Sequence, residues 1–269
     1  MTFDDAAALM RRKYCHVIGI LGSPDAGKTA SLVSLYLLLA SAKLRDFEFA
    51  DSRSLMAFDE ISRGARRWNS GEPPDQMTSH TVQADGRAAG FLHVRLRDKR
   101  DRTCIDMLLP DLPGEWSNSL IDTNRIDRFA FLQAADCIWV MVDGRQLRDA
   151  GKQRLTAHRT SLLIRRLSEY LRPHIPPVKL VITRRDMGAI DSGAIEHVIE
   201  TAAQSGVPLE IVEIASFGHG NGVAAGHGIE DLVRTSVCGA AQAVKTWPDA
   251  KASTPLRWAL RYRNGEQSK

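Results

Sequence analysis

The sequence predicts an α/β fold: a mostly parallel central sheet with one antiparallel edge strand and helices on both faces. Three observations carry that expectation. Apolar runs bounded by turn residues alternate with helix-period patterns along the whole chain. A glycine-rich loop, residues 22–29, joins the first apolar run to the first helical pattern. Two apolar runs, 90–97 and 103–109, lie too close together for a crossover helix, and the polar stretch Arg97-Asp98-Lys99-Arg100-Asp101 turns them into an antiparallel hairpin. Elsewhere helices separate successive strands, the order that gives parallel pairing.

Taken in order, the first strand is expected over 14–21 and the first helix over 28–42. Residues 32–42 are the most apolar run, too short to cross a bilayer and therefore a buried helix. Residues 43–89 are long for a bare loop. Leu55, Phe58, Ile61, Ala65 and Trp68 share one helical face after the possible caps Asp51 and Ser52, so an inserted amphipathic helix is expected there. It serves either as a sensing and docking element or as a cover for a sheet edge. The hairpin follows. A helix over 119–134 then leads to a strand over 137–142. Next come a helix over 153–171, with Arg154, Arg159, Arg165, Arg166 and Arg172 towards solvent, and a strand over 178–183. A helix over 194–205, a strand over 209–214 and a helix over 228–244 complete the domain.

The domain is expected over 13–244, with the inserted helical segment at about 43–89, and a basic tail over 245–269. In the tail Leu256, Trp258, Leu260 and Tyr262 alternate with Arg257, Arg261 and Arg263, a strand period. That stretch suits packing on the chain's own sheet, pairing with a partner's sheet edge, or contact with an anionic surface.

Hydrophobic content of 43% and charged content of 25% are those of a soluble globular protein. The formal charge of +4 belongs to the tail, which holds six basic and two acidic residues; the remaining 30 basic and 30 acidic residues cancel. A nucleic-acid-binding core is therefore not indicated. Cys15, Cys104, Cys137 and Cys238 show no metal-ligand spacing and are expected as buried thiols in a reducing compartment. The acidic start Met1-Thr2-Phe3-Asp4-Asp5 lacks the apolar core of a signal peptide, so a cytoplasmic location without a membrane span is expected. His80, His93, His158 and His197 have no partners at ligand spacing and are expected to be structural.

The glycine-rich loop reads Gly22-Ser23-Pro24-Asp25-Ala26-Gly27-Lys28-Thr29, followed by Ala30, and fits the phosphate-loop pattern GxxxxGK[ST] in its strand-to-helix setting. Such a loop turns backbone N–H groups towards phosphates at a helix start. Lys28 is then expected at the β- and γ-phosphates and the Thr29 hydroxyl at Mg²⁺. A second apolar run ends in Asp111-Leu112-Pro113-Gly114, a DxxG pattern. Asp111 suits the Mg²⁺ shell, and the Gly114 N–H the γ-phosphate. A third ends in Thr183-Arg184-Arg185-Asp186, similar to the [NT]KxD motif that reads guanine. A carboxylate at Asp186 accepts from both N1–H and the 2-amino group of guanine, which adenine does not supply. Arg stands at 184 where Lys is usual, and the two are not equivalent at a stacked site. After the last strand, Ala215-Ser216 faintly echoes the turn that places amides near guanine O6.

With these landmarks in order, residues 13–240 resemble the Ras-like P-loop GTPase superfamily. They are most similar to bacterial double-GTPase families associated with conflict systems, through Asp51-Ser52-Arg53-Ser54-Leu55, Pro74-Asp75 with Thr78-Ser79-His80-Thr81, and Asp111-Leu112-Pro113-Gly114-Glu115. The resemblance implies a Mg²⁺-dependent GTP/GDP switch working with protein partners: an effector, an activator or a second GTPase. It also implies a γ-phosphate-sensing Thr, for which Thr78 and Thr81 are the candidates. Glu115 occupies the water-orienting position, where Ras-like proteins have Gln, so slow hydrolysis is expected, assisted by Lys28, Gly114 and a cation from a partner. Two alternatives stay open: an ATP-dependent enzyme sharing only the phosphate loop, and a nucleotide-loaded scaffold without hydrolysis.

Overall fold

A computed structural model of the chain describes residues 1–62, 90–123, 126–218 and 221–238. Its strands are β1 (His16–Leu21), β2 (Phe47–Asp51), β3 (Gly90–Asp98), β4 (Cys104–Asp111), β5 (Cys137–Asp143), β6 (Val178–Thr183) and β7 (Leu209–Glu213). Its helices are α1 (Phe3–Met10), α2 (Lys28–Ala40), α3 (Leu55–Ile61), α4 (Gly114–Thr123), α5 (Gly144–Arg148), α6 (Gln153–Leu171), α7 (Glu196–Gln204) and α8 (Ile229–Cys238).

The seven strands form one sheet in the order β2-β3-β4-β1-β5-β6-β7. From β4 to β7 every pairing is parallel. The hairpin forms as expected, with β3 against β4 in a register that sets Gly90 opposite Asp111 and Arg97 opposite Cys104. Asp98 closes its turn by accepting hydrogen bonds from the backbone and side chain of Arg100.

Beyond β3 lies β2, a strand not expected from the sequence. Phe47 is buried, while Glu48 on the other face pairs with Arg97 and Arg102. Five residues of alternation inside a long connection are a weak signal, and only pairing with β3 turns them into a strand. The inserted helix exists as the seven-residue α3; Ala65 and Trp68 lie outside the described residues. Its cap position is Ser54 rather than Asp51 or Ser52. Asp51 ends β2, and the Ser52 hydroxyl donates to the carbonyl of His93.

Two cores lie on the two faces of the sheet. On one, α1, α4, α6 and α7 bury Leu9, Leu120, Ile164 and Val198 against Val140 and Leu180. On the other, α2, α3 and α8 bury Leu32, Phe58 and Leu232 against Ile20, Trp139 and Val181. The central strands β5 and β6 are buried at every position, which is why they read as unbroken apolar runs. Helix α1 also went unpredicted. Thr2 and Asp5 form a capping box around it, and it buries only Ala6 and Leu9.

The helix expected over 119–134 is two pieces. Helix α4 begins earlier, at Gly114, and a 3₁₀ segment, Asp127–Ala134, carries non-helical dihedrals at Phe129. Cys15 and Cys137 are buried as expected, but Cys104 is exposed, because it opens β4 beside the hairpin turn. Among the described residues no helix is long and apolar enough to cross a membrane. The tail lies outside them.

Candidate functional site

Parallel pairing brings the C-terminal ends of β1, β4, β5 and β6 to one rim of the sheet, where open α/β folds bind ligands. Three of the sequence landmarks open from β1, β4 and β6, and the fourth, Ala215-Ser216, follows the parallel neighbour β7. The loop Gly22–Thr29 leaves β1 and enters α2 through Gly27, a left-handed residue (φ 91°) without a side-chain cap bond. Its N–H groups are those of a helix start that suits an anion. A Cβ at Gly27 would lie 3.0 Å from Cγ2 of Thr183, so the phosphate loop rests directly on the end of β6.

Lys28 is buried, and its ammonium donates to the carbonyls of Gly22 and Ser23, each at 2.9 Å. Burial lowers its pKa to about 8, against the opposing pull of Asp111, Glu115 and Asp25. The Thr29 hydroxyl donates to Oδ1 of Asp111 at 3.2 Å, so the end of β4 meets the start of α2.

Gly114, the first residue of α4, lies against the loop so closely that a Cβ would come within 2.3 Å of the Pro24 nitrogen. The Gly22 N–H donates to the Ser117 hydroxyl, a second tie between loop and α4. Glu115 follows, exposed, in an otherwise buried first turn of α4. A buried cation, an uncapped helix start, and a hydroxyl beside a carboxylate fit a nucleotide phosphate chain with a hard divalent cation.

Thr183 ends β6 buried, with its hydroxyl donating to the carbonyl of Val142. Arg184 is left-handed (φ 61°), and a short 3₁₀ turn, Arg185–Met187, presents Asp186. Arg184 pairs through Nε with the buried Asp143 at 3.2 Å. Asp143 also takes two nitrogens of Arg145. Ala215 is buried and bridged to His227, and the Ser216 carbonyl accepts from Ser34 of α2. Phosphate loop, Asp111, Gly114 and the Asp186 turn therefore share one rim. Thr78 and Thr81 lie outside the described residues, although the described chain resumes at Gly90, opposite Asp111.

Sequence reasoning missed several residues of this rim. Gly218 lies against Asp186, since a Cβ there would collide with its carboxylate. Asn221 donates to the Asp186 carbonyl at 2.8 Å, and Arg148 donates to the carbonyls of Arg184 and Gly188. Asp143 carried a usable signal, since it closes an apolar run just as Asp111 does. Arg159, expected to be solvated, instead bridges from α6 to Asn118 and Asp122 of α4.

A cavity of about 430 Å³ opens behind the phosphate loop, between α4 and α6. Pro24 and Asn118 line it, but Lys28, Thr29, Asp111 and Asp186 do not.

No curated protein matches the chain. Among solved structures it is similar to the signal recognition particle receptor SRb-GTP/SRX complex from Chaetomium thermophilum. The identity is 14% over 78% of this chain and 94% of that one, with a TM-score of 0.46. The Double-GTPase 2 family matches residues 16–238, from the start of β1 to the end of α8, and the chain belongs to that family of guanine-nucleotide-binding proteins.

Proposed function

We propose that the protein binds GTP with Mg²⁺, hydrolyses it slowly to GDP and phosphate, and uses the difference between the two states to control contacts with other proteins in the cytoplasm. The observation that carries this is the convergence at one rim of Lys28, the Thr29–Asp111 pair, Gly114 and the Asp186 turn.

Lys28 holds phosphate oxygens, whose charge favours its buried ammonium form. Thr29 and Asp111 hold the metal shell, together with a threonine from the segment containing Thr78 and Thr81. Magnesium, when bound, offsets the charge that develops on the transferred phosphoryl group. The Gly114 N–H senses that group, and because Gly114 begins α4, its position sets that of the helix. Asp186 accepts from the guanine edge, while Ala215 and Ser216 supply the neighbouring backbone.

Glu115 orients water less well than an amide, because a carboxylate is disfavoured beside a triphosphate. A cation supplied in trans by an activator or a second GTPase raises the rate.

Binding of GTP, GDP and ATP to the purified protein with Mg²⁺, alongside Asp186→Ala, tests the assignment. A strong guanine preference that the substitution removes is the expected result. ATP bound as tightly as GTP, with no effect of the substitution, refutes it.

A further inference from the structure

We propose that Arg148 is a positioning residue for base recognition: its guanidinium clamps both ends of the turn that carries Asp186. The inference rests on the assignment of Asp186 to the guanine edge.

The turn spans residues 184–188. It begins at left-handed Arg184 and ends at Gly188 (φ 125°), so its path is held by neighbours rather than by a repeating ladder. Arg148 reaches it from α5, across 36 and 40 residues of sequence. One terminal nitrogen donates to the Arg184 carbonyl at 3.1 Å, the other to the Gly188 carbonyl at 2.9 Å. A planar fork with two fixed donors suits two carbonyls a turn apart; a lysine ammonium has no such fork.

The base of the clamp is itself fixed. Helix α5 follows β5 without a break, Asp143 caps it by accepting from the Arg145 N–H, and Leu147 is buried. In the sheet Asp143 stands opposite Thr183, the last residue before the turn. The same Asp143 holds the Arg184 side chain, so α5 and its cap grip the turn by backbone and by side chain.

Other ties fix the rest of the turn. Asn221 donates to the Asp186 carbonyl, the Arg185 N–H donates to Ile214, and the Arg185 side chain pairs with Glu213. Arg148 alone among these joins the two ends of the turn. Two simultaneous hydrogen bonds from Asp186 to a base demand placement to within about 0.5 Å. The clamp supplies that precision without touching the base.

Guanine and hypoxanthine differ only in the 2-amino group, so the ratio of GTP to inosine triphosphate affinity reads how well Asp186 is placed. The experiment measures that ratio, and thermal unfolding, for wild type, Arg148→Ala, Asp186→Ala and the double variant. The expected result is a loss of about tenfold in GTP affinity for Arg148→Ala, with the ratio falling towards that of Asp186→Ala. The double variant should bind GTP no more weakly than Asp186→Ala alone, because both act through one carboxylate.

A folded Arg148→Ala that keeps the wild-type ratio, or losses that add in the double variant, overturns the clamp. Should Arg148→Ala fail to fold, Arg148→Lys retains the charge and loses the fork; a wild-type ratio in that variant overturns the proposal equally. Wild-type protein without any preference for GTP over ATP removes the underlying assignment instead, which separates the two failures.

Discussion

At the scale of single residues, the site depends on contacts that leave no room for change. Gly114 shows this most sharply. Its missing Cβ would lie 2.3 Å from the nitrogen and 2.6 Å from Cα of Pro24, so backbone meets backbone and no side-chain rotation relieves the clash. Gly114→Ala must lift the start of α4 off the phosphate loop. A misplacement of about 1 Å at a reacting centre costs about a hundredfold in rate. GTP affinity in that variant should fall about tenfold or more, whereas GDP, which has no γ-phosphate, should lose far less. Equal losses for both nucleotides, measured by titration, would show that the contact supports the whole loop rather than γ-phosphate sensing.

The same scale explains what could be read from the sequence. Lys28, Thr29, Asp111 and Asp186 belong to patterns whose spacing follows from the chemistry, and each pattern follows or closes an apolar run. Arg148 and Asn221 could not be found in that way. Their partners are backbone carbonyls, which leave no mark in the sequence, and they lie dozens of residues from the turn they hold.

Among the elements, buried central strands and long amphipathic helices were legible, and edges were not. Strand β6 and helix α6 match their expected bounds because burial on both faces, or along one stripe, writes a strong pattern. Strand β2 and helix α1 bury only a few side chains, so their existence depends on a neighbour. Helix α8 illustrates how such neighbours are specified. Its buried Ser236 accepts from the indole N–H of Trp139 at 2.8 Å and from the Cys137 thiol, and donates to the Leu232 carbonyl. Ser236→Ala leaves the buried indole N–H without a partner, at a cost of about 1–3 kcal/mol. Urea unfolding should register that loss, while nucleotide affinity stays within error because the contact is far from the rim. An unchanged midpoint would mean that the indole finds another acceptor.

For the molecule as a whole, acid sensitivity is expected from two histidines held within the sheet, His16 in β1 and His93 in β3. His16 and His93 are both pushed below the ordinary histidine range, chiefly by burial. His93 is held between the Arg53 N–H, accepted at Nδ1, and Asp106, 2.9 Å from Nε2. Asp106 lies below the usual carboxylate range, since bonds from Lys13 and His93 outweigh the opposite effect of its burial. Below about pH 6.5 the unfolded chain binds protons that the folded histidines refuse, so stability falls. It falls further as Asp106 protonates, at pH values below about 3.9. Urea midpoints should therefore drop between pH 7.5 and 5.5, and the slope should flatten in His93→Gln. A midpoint independent of pH across that range would contradict the buried neutral histidines.

The contact between Gly27 and Thr183 also has an evolutionary side. The two positions are 156 residues apart in the chain, yet they share one small volume where the phosphate loop rests on the end of β6. A lineage that enlarged the residue at 183 would have no slack at 27 to absorb it, because the loop residue has already given up its side chain. Variation at 183 should therefore be confined to side chains no bulkier than threonine wherever glycine is kept at 27, a covariation that a collection of family sequences would display.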